Sequence, residues 1–182
     1  MSVDELALRL GKSRERGVNV RALAVINPGN PTGQVLTEES MRDIIRFCDQ
    51  EGLVLLADEV YQTNIYTEER PFHSFKKVLM NMPEHRDSLE LASFHSLSKG
   101  VLGECGRRGG YMELINFDKG VRDQILKRSS INLCSNVAAQ VMVGLMCRPP
   151  QACDESYPLY AHETGMQLGK PPPPPPRGLR RG

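Results

Sequence analysis

The sequence has no Cys-x-x-Cys pair, and none of its five cysteines (Cys48, Cys105, Cys134, Cys147, Cys153) has a histidine nearby at zinc-finger spacing. Structural zinc sites are thereby excluded and no metal site is expected; reduced, mostly buried thiols are the plain reading. Cys105, set in a glycine-rich loop, is the thiol that an oxidant could reach. An excess of charge of one sign is also missing. A net charge of +1, from 23 Lys and Arg against 22 Asp and Glu, gives no reason to expect nucleic acid or an anionic membrane as partner. No apolar run reaches the roughly 20 residues that a membrane-spanning helix needs. The opening MSVDELALRL lacks the basic flank and apolar core of a secretory signal, and its acids argue against a transit peptide. As written, the chain reads as intracellular and cytoplasmic.

What is present is globular. With 182 residues, 40% of them hydrophobic and 25% charged, the chain can bury one core but cannot hold two large domains. Residues 2–16 predict a helix, with Ser2 as cap and Asp4 and Glu5 in the first turn. Residues 21–27 (RALAVIN) read as a strand buried on both faces, ending in the rigid loop Asn27-Pro28-Gly29-Asn30-Pro31-Thr32-Gly33. Thr37 opens the next helix, in which Met41, Ile44, Ile45 and Cys48 recur at helical spacing until Gly52. Residues 53–57 (LVLLA) form a second buried strand that runs into Asp58-Glu59-Val60-Tyr61, so a right-handed βαβ crossover with parallel strands is expected. A short amphipathic piece over 75–80 precedes a third strand over 89–94, and a fourth follows over 109–117. Helical periodicity returns over 118–128 and 137–147, the latter with Val137, Val141 and Leu145 on one side. The expected architecture is α/β, a mostly parallel sheet flanked by helices, over residues 1–148. Residues 149–182, with prolines throughout 171–176, predict an extended, largely structureless tail.

The stretch 95–111, HSLSKGVLGECGRRGGY, carries most of the chemistry. Ser96 and Ser98 offer hydroxyls, Arg107 and Arg108 offer guanidinium forks, and Lys99 offers an amine. A lysine beside a phosphate cradle suits a phosphorylated carbonyl cofactor, and pyridoxal phosphate is the candidate. Ser-x-Ser-Lys alone is more often ordinary loop sequence with a solvated lysine. Weight comes from order: NPGNPTG, DEVY and HSLSKG each end a strand, and a parallel sheet would bring all three to one edge, where open α/β sheets keep their ligands.

That order, N-P-x-N-P-T-G, D-E-x-Y, S-x-S-K and then R-x-G-Y, resembles the large domain of the class I and II aminotransferases, the fold type I pyridoxal phosphate enzymes. Within the family, the stretches INPGNPTGQVL, LLADEVYQ, FHSFKKVL and SKGVLGECGRRGGYME are similar to the alanine aminotransferases, with mammalian mitochondrial-type forms nearest. The resemblance implies that Lys99 holds the cofactor as an aldimine and shuttles the substrate's α-proton. It implies that Asp58 pairs with the pyridinium nitrogen and that Asn30 and Tyr61 bond the 3-hydroxyl oxygen. Ser96, Ser98 and Arg108 would hold the phosphate; Arg107 stands where a tyrosine is expected and either adds charge near the phosphate or points to solvent, the latter being favoured.

The implied reaction is L-alanine with 2-oxoglutarate giving pyruvate and L-glutamate, in a homodimer. The family also has chain before and after such a segment, including an arginine that grips the substrate carboxylate. A truncated product is therefore expected, whose longer parent could be mitochondrial. The competing reading is a non-catalytic product that binds the cofactor, or a full-length subunit, without turnover.

Overall fold

In the computed structural model, residues 2–131 and 134–167 are described. They fall into two compact units. One holds the residues up to Ser96 together with Gly110–Cys134; the other holds Leu97–Gly109 together with the residues from Ser135 onward.

The first unit is built on a four-stranded sheet in the order β1 (Ala22–Ile26), β2 (Val54–Asp58), β3 (Leu91–Ser96), β4 (Gly110–Ile115). The first three strands are parallel, as expected, and β4 runs antiparallel to β3. Its helices are α1 (Val3–Glu15), α2 (Glu38–Gln50), α3 (Phe75–Met80) and α4 (Lys119–Ser129). Helix α2 forms for local reasons that can be named. The Thr37 hydroxyl accepts from the Ser40 amide at 3.2 Å, two glutamates sit in the first turn, and Gly52 (φ 63°) reverses the chain after the last turn. Its Met41, Ile44, Ile45 and Cys48 are fully buried, each large side chain contributing about 1.5–3 kcal/mol. Burial also pushes the Cys48 thiol up to about 12, so it is a packing residue and not a nucleophile.

The core lies on one face of the sheet. Val25, Leu55, Ala57 and Leu91 pack there with Leu10 of α1, the inner side of α2, and Phe75, Val78 and Leu79 of α3. Here the structure corrects the expectation of strands buried on both faces. β1 alternates, with Val25 2% exposed and Ile26 47% exposed. The helices α1, α2 and α3 all contribute to the single core, and apolar composition shows what a strand could bury, not what covers it.

The second unit contains a 3-10 turn at Cys105–Arg107 and the helices α5 (Val137–Cys147) and α6 (Tyr157–Gln167). Within 149–182, expected to be largely structureless, Tyr157–Gln167 form a regular helix that the sequence reading does not foretell. The proline run 171–176 lies outside the described residues. Val137, Val141 and Leu145 are all exposed, so the predicted stripe of α5 is real but uncovered. Two smaller readings also fail. Ser2 occupies the cap position of α1 in extended conformation, yet its side chain makes no capping bond. Of the cysteines, Cys48 is buried and the other four are exposed, because they fall in loops and on the outer side of α5. No helix among the described residues is long and apolar enough to cross a membrane.

Candidate functional site

Register does the first part of the assembly. Ile26 pairs with Asp58, and Asp58 with Phe94, so β1, β2 and β3 end level and deliver their following loops side by side. The loop after β1 is tied to β2 by the Asn27 amide, which donates to the Asp58 carbonyl at 3.0 Å. The buried Asn27 side chain accepts from the Leu36 amide at 3.0 Å, closing the loop from beneath. Gly29 and Gly33 bond within it, and Gly33 takes φ 70°, a conformation that favours glycine. The outcome is that Asn30, at the loop tip, donates its carboxamide Nδ2 to the phenol oxygen of Tyr61 at 3.3 Å. After β2, the Asp58 carboxylate accepts from the Val60 amide at 3.3 Å, which ties it to the turn that follows.

A cleft of about 720 Å³ opens along the sheet face opposite the core, toward these strand ends. Ile26, Leu56 and Phe94 give it apolar walls, and Asp58, His95, Ser96 and Tyr111 give it polar ones. His95 and Tyr111 are cross-strand partners and meet edge to face with centroids 5.8 Å apart. Burial pulls the His95 imidazole below its usual range, against the opposing charge of Asp58, and its Nδ1 is buried with no hydrogen-bond partner. A neutral imidazole with an unsatisfied nitrogen beside a carboxylate is a site that a polar ligand would complete. Gly110 is required by proximity: a Cβ there would stand 2.6 Å from the His95 carbonyl oxygen.

In the second unit, the segment Leu97–Gly109 folds back on itself. The Leu97 amide donates to the Gly109 carbonyl at 3.0 Å, and the Glu104 amide to the Leu97 carbonyl at 2.8 Å. Leu97 is fully buried, while Lys99 stands exposed and Ser98 half-buried. Gly100 and Gly103 turn the loop with positive φ. Arg108 also takes a left-handed backbone (φ 54°), costing of order 1 kcal/mol, and its guanidinium donates to the Cys105 carbonyl at 2.8 Å. Arg107 is exposed, with the Glu104 carboxylate 3.9 Å away.

The family model for aminotransferase class I and II matches residues 1–161. The chain belongs to the class I and II aminotransferase family. It is 55% identical over 163 residues to the mitochondrial alanine aminotransferase 1 of Arabidopsis thaliana, covering 90% of this chain and 30% of that protein. With the human alanine aminotransferase 1 it shares 51% over 171 residues, 93% of this chain and 34% of the relative. The alanine aminotransferase structure from Pyrococcus furiosus superposes with a TM-score of 0.59 at 26% identity, over 71% of this chain and 31% of that one. The chain thus spans about a third of the length of the curated relatives it matches.

The aminotransferase family is one of pyridoxal phosphate enzymes, and the first unit's donor set fits the ring half of that group. A carboxylate suits a ring nitrogen, the Asn30–Tyr61 pair suits a phenolic oxygen, and the walls suit an aromatic face. Of the residues read from sequence, Asp58 and Ser96 line the cleft, Asn30 and Tyr61 meet each other, and Ser98, Lys99 and Arg108 belong to the second unit. Sequence reasoning gave no role to His95, Glu59 or Tyr111. The pairing of His95 with Tyr111 depends on strand register, which no motif states; the burial of Glu59 follows from strand alternation once Asp58 is placed on the open face.

Proposed function

We propose that the chain binds pyridoxal phosphate through Asn30, Asp58, Tyr61, Ser96, Ser98, Lys99 and Arg108, and that it serves transamination between L-alanine and 2-oxoglutarate, giving pyruvate and L-glutamate. The observation that carries this reading is the level ending of three parallel strands, which gathers Asp58, Ser96 and the Asn30–Tyr61 pair at one edge, with Lys99 three residues beyond Ser96 along the chain. Pyridoxal phosphate, when bound, supplies an electron sink for the charge that develops at the substrate's α-carbon. Asp58 then holds a proton at the ring nitrogen, and the Asn30–Tyr61 pair orients the phenolic oxygen. Lys99 Nζ provides the covalent anchor and moves the α-proton, and Ser96, Ser98 and Arg108 bind the phosphate oxygens. The family relationship supports partners of amino acid and 2-oxo acid type, and assembly as a homodimer or with a full-length subunit.

One observation favours a second reading, cofactor binding without turnover. No arginine lines the cleft among the described residues, so nothing there grips a substrate α-carboxylate. Equilibrium binding of pyridoxal phosphate, followed by an assay for pyruvate from L-alanine and 2-oxoglutarate, separates the two. Stoichiometric uptake with pyruvate formation supports the enzyme, uptake without pyruvate supports the second reading, and no uptake contradicts both.

A further inference from the structure

Consecutive residues leave β2 in opposite directions. Asp58 lines the cleft, while Glu59 turns to the other side and is 6% exposed, one of two buried polar or charged side chains among the described residues. Its Oε1 accepts from the Phe75 amide, at the first residue of α3, at 2.7 Å. Its own amide donates to the Phe94 carbonyl of β3 at 3.2 Å, and its carbonyl accepts from the Gln62 amide at 3.1 Å. One residue therefore joins the end of β2 to β3, to α3 and to the turn that carries Tyr61. Phe75 is fully buried, so the point to which the carboxyl group is tied cannot drift. The bonds from Val60 to Asp58 and from Gln62 to Glu59 are internal to the turn and would move with it.

We propose that Glu59 is a positioning residue for Asp58 and Tyr61: its hydrogen bond to the buried Phe75 amide fixes the direction in which the chain leaves β2, and with it the ring-facing half of the site. The inference rests on reading that half as the pyridoxal site. A buried carboxyl group needs such a partner, because without one its desolvation is uncompensated. Burial, reinforced by the charge of Asp58, pushes Glu59 up to about 7, and the Phe75 amide acts in the opposite sense. On the neighbouring elements the other titratable groups are Tyr61 in the turn, His73 before α3, Lys76 and Lys77 within it, and His95 on β3; Asp58 is the charge that acts on Glu59. The Asn30–Tyr61 contact should then respond to the Glu59 proton across neutral pH.

The test is a pH series of NMR spectra on the ligand-free full chain, following the Asn30 carboxamide and the Tyr61 ring. In the parent both signals should move with a midpoint near 7. Glu59→Gln, which keeps an acceptor for Phe75 but cannot ionise, should remove that midpoint and leave the Phe75 amide protected from exchange. Glu59→Ala should displace both signals at every pH and weaken pyridoxal phosphate binding about tenfold, the worth of one buried hydrogen bond. A merely structural role would lower the melting temperature of Glu59→Ala while leaving the two signals in place in the folded fraction. An unchanged midpoint in Glu59→Gln overturns the proposal, and decides the matter alone if Glu59→Ala does not fold. Loss of the midpoint in a chain that takes up no pyridoxal phosphate would support the positioning role and contradict the cofactor reading; cofactor uptake with unmoved signals would do the reverse.

Discussion

The two faces of the sheet are made by the same strands and do opposite work. On one, Val25, Leu55, Ala57 and Leu91 meet three helices and are essentially sealed. On the other, Ile26 and Met112 remain 47% and 41% exposed, and Asp58 and Ser96 stand among them. A strand can do both because alternate side chains point to opposite faces, so the cost of holding polar groups in place is carried by apolar contacts on the far side. The boundary runs between Asp58 and Glu59. One carboxyl group lines the open cleft and its neighbour is bonded into the scaffold.

The sharpest way to break this comparison is to truncate one side chain on each face. Leu55→Ala should lower stability by about 2–5 kcal/mol and Ile26→Ala by under about 1 kcal/mol, read from urea unfolding; similar losses would show that the open face is structurally covered. Next in size is the Glu59 proton. With its folded value raised to about 7 from an ordinary 4.5, the folded chain holds a proton that the unfolded chain has released. Stability should therefore fall as pH rises from about 4.5 to 7, by roughly 3 kcal/mol in all, and stay level above that. Glu59→Gln should flatten the fall, and an identical pH profile in the variant would place the titration elsewhere. Gly110→Ala, which sets a Cβ against the His95 carbonyl, should cost about 1–3 kcal/mol and disturb the His95–Tyr111 contact; a neutral result would mean that β3 and β4 separate easily at that end. Smallest should be the exposed Lys76–Glu113 pair between α3 and β4, whose coupling in a double-mutant cycle is expected at about 0.2–1 kcal/mol and should fade in salt.

Much of the fold was legible because its signals are local. The Thr37 cap, the spacing of Met41, Ile44, Ile45 and Cys48, and Gly52 place α2 almost to the residue, and the motifs that hold Asp58 and Ser96 fall at strand ends, where both residues line the cleft. What was not legible depends on pairing. The Val, Leu and Ala content of β1 and β2 suited cover on both faces, but the second cover is not a property of those residues. The direction of β4 follows from the self-closing loop Leu97–Gly109, which carries no crossover helix and returns the chain antiparallel. Glu59 hid beside Asp58 as one more acid in a turn-like motif. Helix α6 was masked by its polar surroundings and weak periodicity.

The proposed binding of pyridoxal phosphate turns first on Lys99. The most direct test is to incubate the purified chain with pyridoxal phosphate, reduce with borohydride and map the modified peptide. A single stoichiometric adduct on Lys99 is expected, absent in Lys99→Ala and diminished in Asp58→Ala, with the unfolding of both variants unchanged. An adduct spread over other lysines, or one on Lys99 indifferent to Asp58→Ala, would contradict it.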